Sequence, residues 1–551
     1  MAKKKLGEIL KEKGYVTDEK FEVAMTQQKI TGVLLGETLQ KLGFVSAKEM
    51  AQTLAEQSDM EYLNLSEYSI PSDVLKLVPQ AMAQRFEFIP INKDNGYFKI
   101  GIINPGNVVA IDAATKTVNM QVKPVMVDKD SYLDKVEKAY YFLEHPIVKQ
   151  IDSTIKEISE TPTPQPATIT RLTDLILQDG IRRNATDIHI NPAEDVVNVF
   201  YRVDGVLQLG MCFTRTAQNG VISRIKILSS LDIAEQRLPQ DGYFSYTFLR
   251  KSYEMRVSTV PSIYGENTVL RVLSGSGTLM RFETLGFDAT DTKKLKNIFK
   301  NPYGIILITG PTGSGKTTTL YSALREVNLL QKNVLTVEDP VEYRLSFVKQ
   351  TQVNMKAGYD FALAGRNFMR QDPDVMLLGE IRDEKTATIA VRAAITGHLV
   401  LSTLHTNDAI TAIPRLIDMG VDRFNVAASV AGIVAQRLLR KLCVHCKKTY
   451  ELPPYEIEYL KLCGLKGELP TTGVTSSGCH ACNNTGYMGR TVIGEILIID
   501  DDLRELISSS ASFVHMKKVA IEKGMVTMQL NAISKFLLGI TSIEEIQRVA
   551  G

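Results

Sequence analysis

The stretch Ile306–Leu320, ILITGPTGSGKTTTL, constrains the fold of this chain more than any other. Gly310-Pro311-Thr312-Gly313-Ser314-Gly315-Lys316-Thr317 satisfies G-x-x-x-x-G-K-[ST] at every fixed position. An apolar run precedes it and a helix-forming run follows, so the motif predicts a strand, a tight loop and a helix. The glycines let backbone N–H groups converge on phosphate oxygens, and the helix N-terminus adds partial positive charge. Lys316 is expected at the β- and γ-phosphates of a nucleoside triphosphate, and Thr317 at Mg²⁺. Thr318 completes the expected nucleotide-contacting run.

Further apolar runs end in polar residues: NVLTVED, DVMLLGE and HLVLSTLH. Continuous apolar strands alternating with helices predict a mostly parallel sheet, with its site at the carboxyl ends of the strands. Acids cluster at those ends. TVEDPVEY supplies Glu338, Asp339 and Glu342; DPDVMLLGE begins at Asp374 and ends at Glu380. Phosphoryl transfer to water requires one carboxylate near Mg²⁺ and one to orient the attacking water, and these acids are candidates for both tasks. Any single one of them could instead be an ordinary surface acid. His398 and His405 flank HLVLSTL as candidate nucleotide contacts, although a lone histidine is more often structural; His405, at the carboxyl end, is the better γ-phosphate sensor.

The cysteines carry a second signal. Cys443-x-x-Cys446 and Cys479-x-x-Cys482 form two knuckles. Four thiolates at this spacing suit one tetrahedral, structural Zn²⁺. Two redox-active Cys-x-x-Cys pairs are the alternative.

With 551 residues the chain exceeds one hydrophobic core. Composition is that of soluble globular material, 44% hydrophobic and 23% charged. A net charge of +2, without basic stretches interleaved with aromatics, gives no footprint for nucleic acid. No apolar run approaches the roughly 20 residues of a membrane span. Glu8, Lys11 and Glu12 interrupt the basic start too soon for a signal sequence. A cytoplasmic protein is therefore expected.

Lys5–Gln28 aligns without gaps on Leu34–Gln57, with Gly7/Gly36, Gly14/Gly43 and Gln28/Gln57 in register. Apolar residues at helical spacing, broken by glycine, predict two helix pairs over residues 1–60. FEFIPINKDNGYFKIGIINP predicts two strands about an Asp94-Asn95-Gly96 turn in an α/β piece over 61–150. ISETPTPQPATIT predicts a stiff, exposed linker over 151–168. Residues 169–285 read as a sheet-bearing domain with an Asp204-Gly205 hairpin. Residues 286–551 read as the nucleotide-binding domain, with the cysteine element at 443–490, and the segment near 280–290 is expected to flex.

GPTGSGKTTTLY, VEDPVEY, RQDPDVMLLGEIRD, TGHLVLSTLHTND, QRLLRKLCVHCK and GCHACNNTGYMGR, in this order, resemble the secretion ATPase superfamily, specifically its type IV pilus assembly and type II secretion motors. The resemblance implies a multidomain α/β protein. A RecA-like P-loop ATPase domain would follow an α+β, PAS-like N2 domain and a helical/α+β N-terminal domain. It implies a homohexamer that hydrolyses ATP at the inner face of the cytoplasmic membrane. Its partners would be an inner-membrane platform protein and a membrane-anchored docking protein, with pilin-like subunits moved indirectly.

The resemblance further implies that Glu342 in the Asp box is the general base, that Glu380 ends an atypical Walker B, and that His405 belongs to a His box. Arg256 and Arg271 would be N2 arginines reaching nucleotide; ordinary strand salt bridges are the alternative. Retraction motors usually lack the four cysteines and the long N-terminal region, so assembly or export is favoured. The repeat resembles a cyclic di-GMP-binding domain whose pattern starts with arginine. Here those positions are Lys5 and Leu34, so the guanidinium forks are missing. Docking to a membrane-anchored partner and ligand binding both stand. A nucleic-acid motor and a nucleotide-regulated binding module are the rival functions.

Overall fold

The computed structural model describes residues 4–94, 96–274, 280–465 and 467–551. They form two compact units, one from 1–22 with 47–277, the other from 23–46 with 278–551.

The repeat makes four helices: α1 (Leu6–Glu12), α2 (Asp18–Thr31), α3 (Leu35–Lys41) and α4 (Ala47–Gln57). In the first unit α1 lies on α4, where Gln57 Nε2 donates to Lys4 O at 2.8 Å. Residues 23–46 belong to the second unit. There Phe44 stacks on Phe347, ring centroids 5.9 Å apart, and Arg325 Nη2 donates to Phe44 O at 3.2 Å. The expected 1–60 domain is thus divided. The apolar periodicity of a repeat shows which faces are buried, but not against what.

Next in the first unit come β1 (Phe88–Asp94), β2 (Tyr97–Ile102) and β3 (Gln121–Met126). β1 and β2 pair antiparallel and β2 and β3 parallel. The anticipated turn rests on Asn95, which lies outside the described residues. The helix Lys129–Glu144 covers this sheet. Its buried Tyr132 and Tyr140 satisfy their hydroxyls on Ala83 O and Val78 O, each at 2.9 Å.

The expected linker at 151–168 is corrected. Ile147–Ser159 and Pro166–Arg182 are helices, and only residues 160–165 connect them. Ile147, Ile151 and Ile158 are buried, a stripe at helical spacing that the proline-rich composition obscured. Pro166 starts a helix, because its missing N–H has no partner in the first turn. Glu157 ties the two helices by accepting from Thr168 Oγ1 at 2.6 Å and pairing with Arg171.

These helices cover a six-stranded antiparallel sheet: β4 (Asp187–Pro192), β5 (Val196–Val203), β6 (Val206–Thr214), β7 (Gln240–Phe248), β8 (Lys251–Ser262) and β9 (Gly265–Ser274), in the order β6-β5-β4-β9-β8-β7. Asp204 and Gly205, both at positive φ, turn β5 into β6.

The second unit is built on β10 (Gly304–Thr309), β11 (Val334–Glu338), β12 (Val348–Gln352), β13 (Val375–Leu378), β14 (Leu399–Leu404), β15 (Val430–Leu442) and β18 (Tyr487–Ile498). The order is β12-β11-β13-β14-β10-β15-β18, parallel throughout except for antiparallel β18. Every residue of β10, β11, β13 and β14 is buried, as continuous apolar strands require when both sheet faces are covered. The four strands therefore bring Thr309, Glu338, Leu378 and Leu404 to one edge. β16 (Lys447–Glu451) and β17 (Thr472–Ser476) form a separate antiparallel pair beside the cysteines. The 280–290 segment is folded into this unit. Phe282 is fully buried and stacks on Phe299 at 5.4 Å.

The last helix, Ile543–Ala550, is tied to β15 through Glu545, whose side chain is 0% exposed. Arg440 donates to it from Nη2 at 2.8 Å, and Arg548 Nη2 approaches its other oxygen at 2.6 Å. Burial pushes the Glu545 carboxyl up, but the two guanidinium groups outweigh it and hold it below its usual range. A depressed folded-state value stabilises above the ordinary carboxylate range, and that contribution is lost as pH falls through the folded value. Arg440→Ala is expected to cost about 3 kcal/mol near neutral pH, the low end for a broken buried pair because Arg548 remains. Urea unfolding should show the deficit shrinking as pH falls below the ordinary glutamate range.

Candidate active site

Between β10 and the helix Lys316–Glu326, the loop 310–315 turns on Gly310, Gly313 and Gly315, with φ of 143°, 79° and 87°. Gly310 has a second constraint: a Cβ there would stand 2.4 Å from Gln436 O. Any side chain would therefore push β10 and β15 apart. Lys316 Nζ donates to Gly310 O at 2.8 Å and Pro311 O at 3.1 Å. Burial lowers the Lys316 pKa, while the nearby Glu380 charge opposes the shift. That coupling places Lys316 and Glu380 in one electrostatic field at the sheet edge. Pro311, Thr312 and Gly313 are exposed, Ser314 is buried, and Thr317 and Thr318 are half-buried on the first helical turn. Thr317 and Glu380 offer the hard oxygen donors that Mg²⁺ prefers.

Glu380 follows β13, its side chain only 14% exposed, paired with Arg382 and 3.5 Å from His405 Nε2. His405 follows β14 and is half exposed. Ser402 Oγ donates to Leu378 O at 2.6 Å and Thr403 Oγ1 to Gly379 O at 2.9 Å, locking the ends of the two strands together.

The acids of VEDPVE separate by environment. Glu338 is 5% exposed and fully engaged: Thr336 Oγ1 donates at 2.7 Å, Gln350 Nε2 at 3.2 Å, and Tyr321 Oη to its other oxygen. Burial, reinforced by this carboxylate, raises the Tyr321 pKa, so the phenol stays a donor. Asp339 and Glu342 are exposed. The segment bearing Glu342 is held by its backbone. Tyr343 N donates to Tyr321 Oη at 3.3 Å, Val341 N to Gln352 Oε1 at 3.3 Å and Leu345 N to Gln350 Oε1 at 2.7 Å.

His398 and Asp374 stand apart from this edge. His398 precedes β14, and Leu399 pairs with Gly304 at the start of β10, six residues before Gly310. Its Nδ1 lies 2.9 Å from Ala393 O and 3.1 Å from Thr396 Oγ1, closing a helix end. The expected nucleotide contact at His398 is therefore at the wrong end of its strand. Asp374, at the start of β13, accepts from Asn333 N at 2.8 Å and pairs with Lys332 at 2.9 Å.

Within the first unit, Arg256 and Arg271 are register neighbours on β8 and β9, both exposed. Arg271 pairs with Asp187 at 3.0 Å. The salt-bridge alternative thus describes Arg271, whereas Arg256 has no ion-pair partner among the described residues.

Sequence reading missed three polar residues behind the loop: Tyr321, Gln350 and Gln436. Gln436 had a visible signal, because it interrupts the apolar run VAGIVA-Q-RLL of a core strand.

In the cysteine element the four Sγ atoms lie within 4.8 Å of one another. The distances are 3.8 Å for Cys443–Cys479, 3.9 Å for Cys446–Cys482 and 3.7 Å for Cys479–Cys482. Zn–S bonds of about 2.3 Å arranged tetrahedrally separate sulfurs by about 3.8 Å, so the cluster fits zinc. Burial pushes the Cys443 and Cys446 thiols up, Cys446 to about 12. Burial does the same to Cys482, but N–H donation from Cys479 and Gly486, both at 3.2 Å, brings it down to about 7.

Residues 163–548 match the family described as type II/IV secretion system protein, and residues 58–145 match the MshEN domain. The chain is 36% identical to the type IV pilus assembly ATPase PilB of Myxococcus xanthus, over 98% of each chain. It is 37% identical to the type II secretion system protein E of Xanthomonas campestris, over 100% of this chain and 98% of that one. The ATPase DotB of Legionella pneumophila shares the fold, with a TM-score of 0.51 at 20% identity over 70% of this chain and 96% of that chain.

Proposed function

Since the chain belongs to the type II/IV secretion system protein family and is an ATPase, we propose that it powers assembly of a type IV pilus as a homohexamer acting on an inner-membrane platform protein. The end-to-end match to a pilus assembly ATPase carries this reading. In it, Lys316 and the loop N–H groups hold the phosphates, Glu342 orients the attacking water, and Glu380 with His405 senses the γ-phosphate. Mg²⁺, held by Thr317 and Glu380, would neutralise charge on the β- and γ-phosphates. Zn²⁺ on Cys443, Cys446, Cys479 and Cys482 would be structural, because four sulfurs leave no open position. Arg256 and Arg271 are retained as candidate phosphate-contacting cations, Arg256 first because it has no competing carboxylate among the described residues.

This reading puts the protein at the cytoplasmic face of the inner membrane, bound through partners; among the described residues no helix is long and apolar enough to cross a membrane. Docking to a membrane-anchored protein is assigned to the N-terminal repeat. Cyclic di-GMP is its candidate small ligand, although Lys5 and Leu34 replace the arginines that would fork onto a phosphodiester.

The equally long match to a type II secretion protein supports a second reading, assembly of a pseudopilus for export. Cells carrying Lys316→Ala as their only copy decide between the two. Surface pili are expected to vanish while secreted proteins stay at wild-type levels. Normal piliation with blocked export would establish the second reading instead.

A further inference from the structure

Gln436 lies on β15, one residue beyond the point where Ala435 pairs with Thr309 of β10. It is 1% exposed, and both ends of its amide are used. Nε2 donates to Ser314 O at 2.8 Å, and Oε1 accepts from Thr319 Oγ1 at 2.9 Å. A carbonyl can only accept, so Ser314 O fixes which end of the amide faces the loop. The main chain acts as well, since Gln436 O occupies the space that a Gly310 side chain would need. One residue therefore abuts the loop at Gly310, where it leaves β10, and at Ser314, where it enters the helix.

The loop needs such a restraint. Three glycines at positive φ leave its backbone with little intrinsic preference. Phosphate binding requires its N–H groups to be already converged, and a loop that must be ordered on binding loses affinity. Lys316 is fastened to the carbonyl of Gly310, the residue that Gln436 abuts. From this geometry we infer that Gln436 is a positioning residue for the nucleotide, holding residues 310–315 in their phosphate-binding shape without touching the phosphates. The inference rests on residues 310–317 being the phosphate loop.

The test uses the full chain, titrated with MgADP and assayed for MgATP turnover. Gln436→Met keeps the volume but strands Ser314 O and the Thr319 hydroxyl. Leaving buried groups unsatisfied predicts a loss of MgADP affinity on the order of 10-fold. KM for MgATP should rise in proportion, with kcat within about threefold, the pattern for interactions shared by ground and transition states. Gln436→Glu adds a pH signature. Its protonated acid can donate to Ser314 O, and its carboxylate cannot. Its affinity relative to wild type is expected to fall as pH rises from about 6 to 9, while Gln436→Met, which carries no charge, stays uniformly weak. Normal MgADP affinity in Gln436→Met, with only a lowered melting temperature, would reduce Gln436 to packing and overturn the inference. Should the Gln436 variants fail to fold, Thr319→Val removes the hydroxyl that anchors the far end of the amide, and unchanged affinity there overturns it equally. Wild-type affinity in Lys316→Ala would instead reject the phosphate loop itself.

Discussion

Glu342→Gln is expected to bind MgATP as tightly as wild type and to release phosphate about 10²–10⁴-fold more slowly, the range for loss of a positioned general base. We propose Glu342 among the strand-end acids because of its position on the segment tethered behind the loop. Glu338 is buried with Tyr321, Thr336 and Gln350 donating to its two oxygens, so it has no room to address a water. Its replacement would unsettle the fold behind the loop. Glu380, beside Arg382 and His405, is assigned to Mg²⁺ in this reading. Glu342 is exposed, on a segment that Tyr321 and Gln350 hold in place by its backbone. The tether starts on the same helix as Lys316 and Thr317, so a base on this segment is indexed to the phosphates. Single-turnover phosphate release alongside equilibrium nucleotide binding measures the split. Wild-type turnover in Glu342→Gln, with a collapse in Glu380→Gln, would move the base to Glu380.

Cys482→Ser is expected to abolish zinc binding and unfold the two cysteine knuckles with the β16–β17 pair between them. Structural zinc contributes an apparent 10–16 kcal/mol near neutral pH in small zinc domains, as much as the whole net stability of an ordinary domain. Leu452 and Leu460 anchor the middle of the segment in the core of this unit, so the metal's share falls on the two knuckles and on β16, most of which is exposed. Metal content should fall from about one zinc per chain to none, and limited proteolysis should cut between Lys447 and Ser477. Binding must displace protons from thiols that burial holds up at Cys443 and Cys446, so zinc affinity falls as pH is lowered. Purified protein with two disulfides and no zinc would install the redox alternative.

The nucleotide-binding core was legible because its chemistry is local. Four apolar runs, a glycine loop and the acids that end the strands are contiguous in sequence, and a doubly covered parallel sheet leaves such runs few other places to go. What stayed hidden depends on partners distant in the chain. Glu338 and Glu342 look alike in VEDPVE, and only the burial of β11 separates them. Gln436 is 122 residues from Ser314, and its task exists only once β15 lies beside the loop. At 151–168 composition misled: the prolines at 162 and 164 mark a short connection, but IVKQIDSTIKEI beside them carries a helical apolar stripe. His398 and His405 differ only in which end of β14 they occupy, which strand direction decides.

β15 outruns the parallel sheet. From Gln436 to Leu442 it pairs only with β18, ending one residue short of Cys443. That ribbon spans roughly 20 Å at the usual rise of an extended strand. It contains no helix or loop, and its one break in register lies between Arg440 and Leu442, next to the knuckle. A tug on the cysteine knuckle would therefore reach the phosphate loop along a paired ribbon, as a displacement of Gln436 rather than as the flexing of a linker.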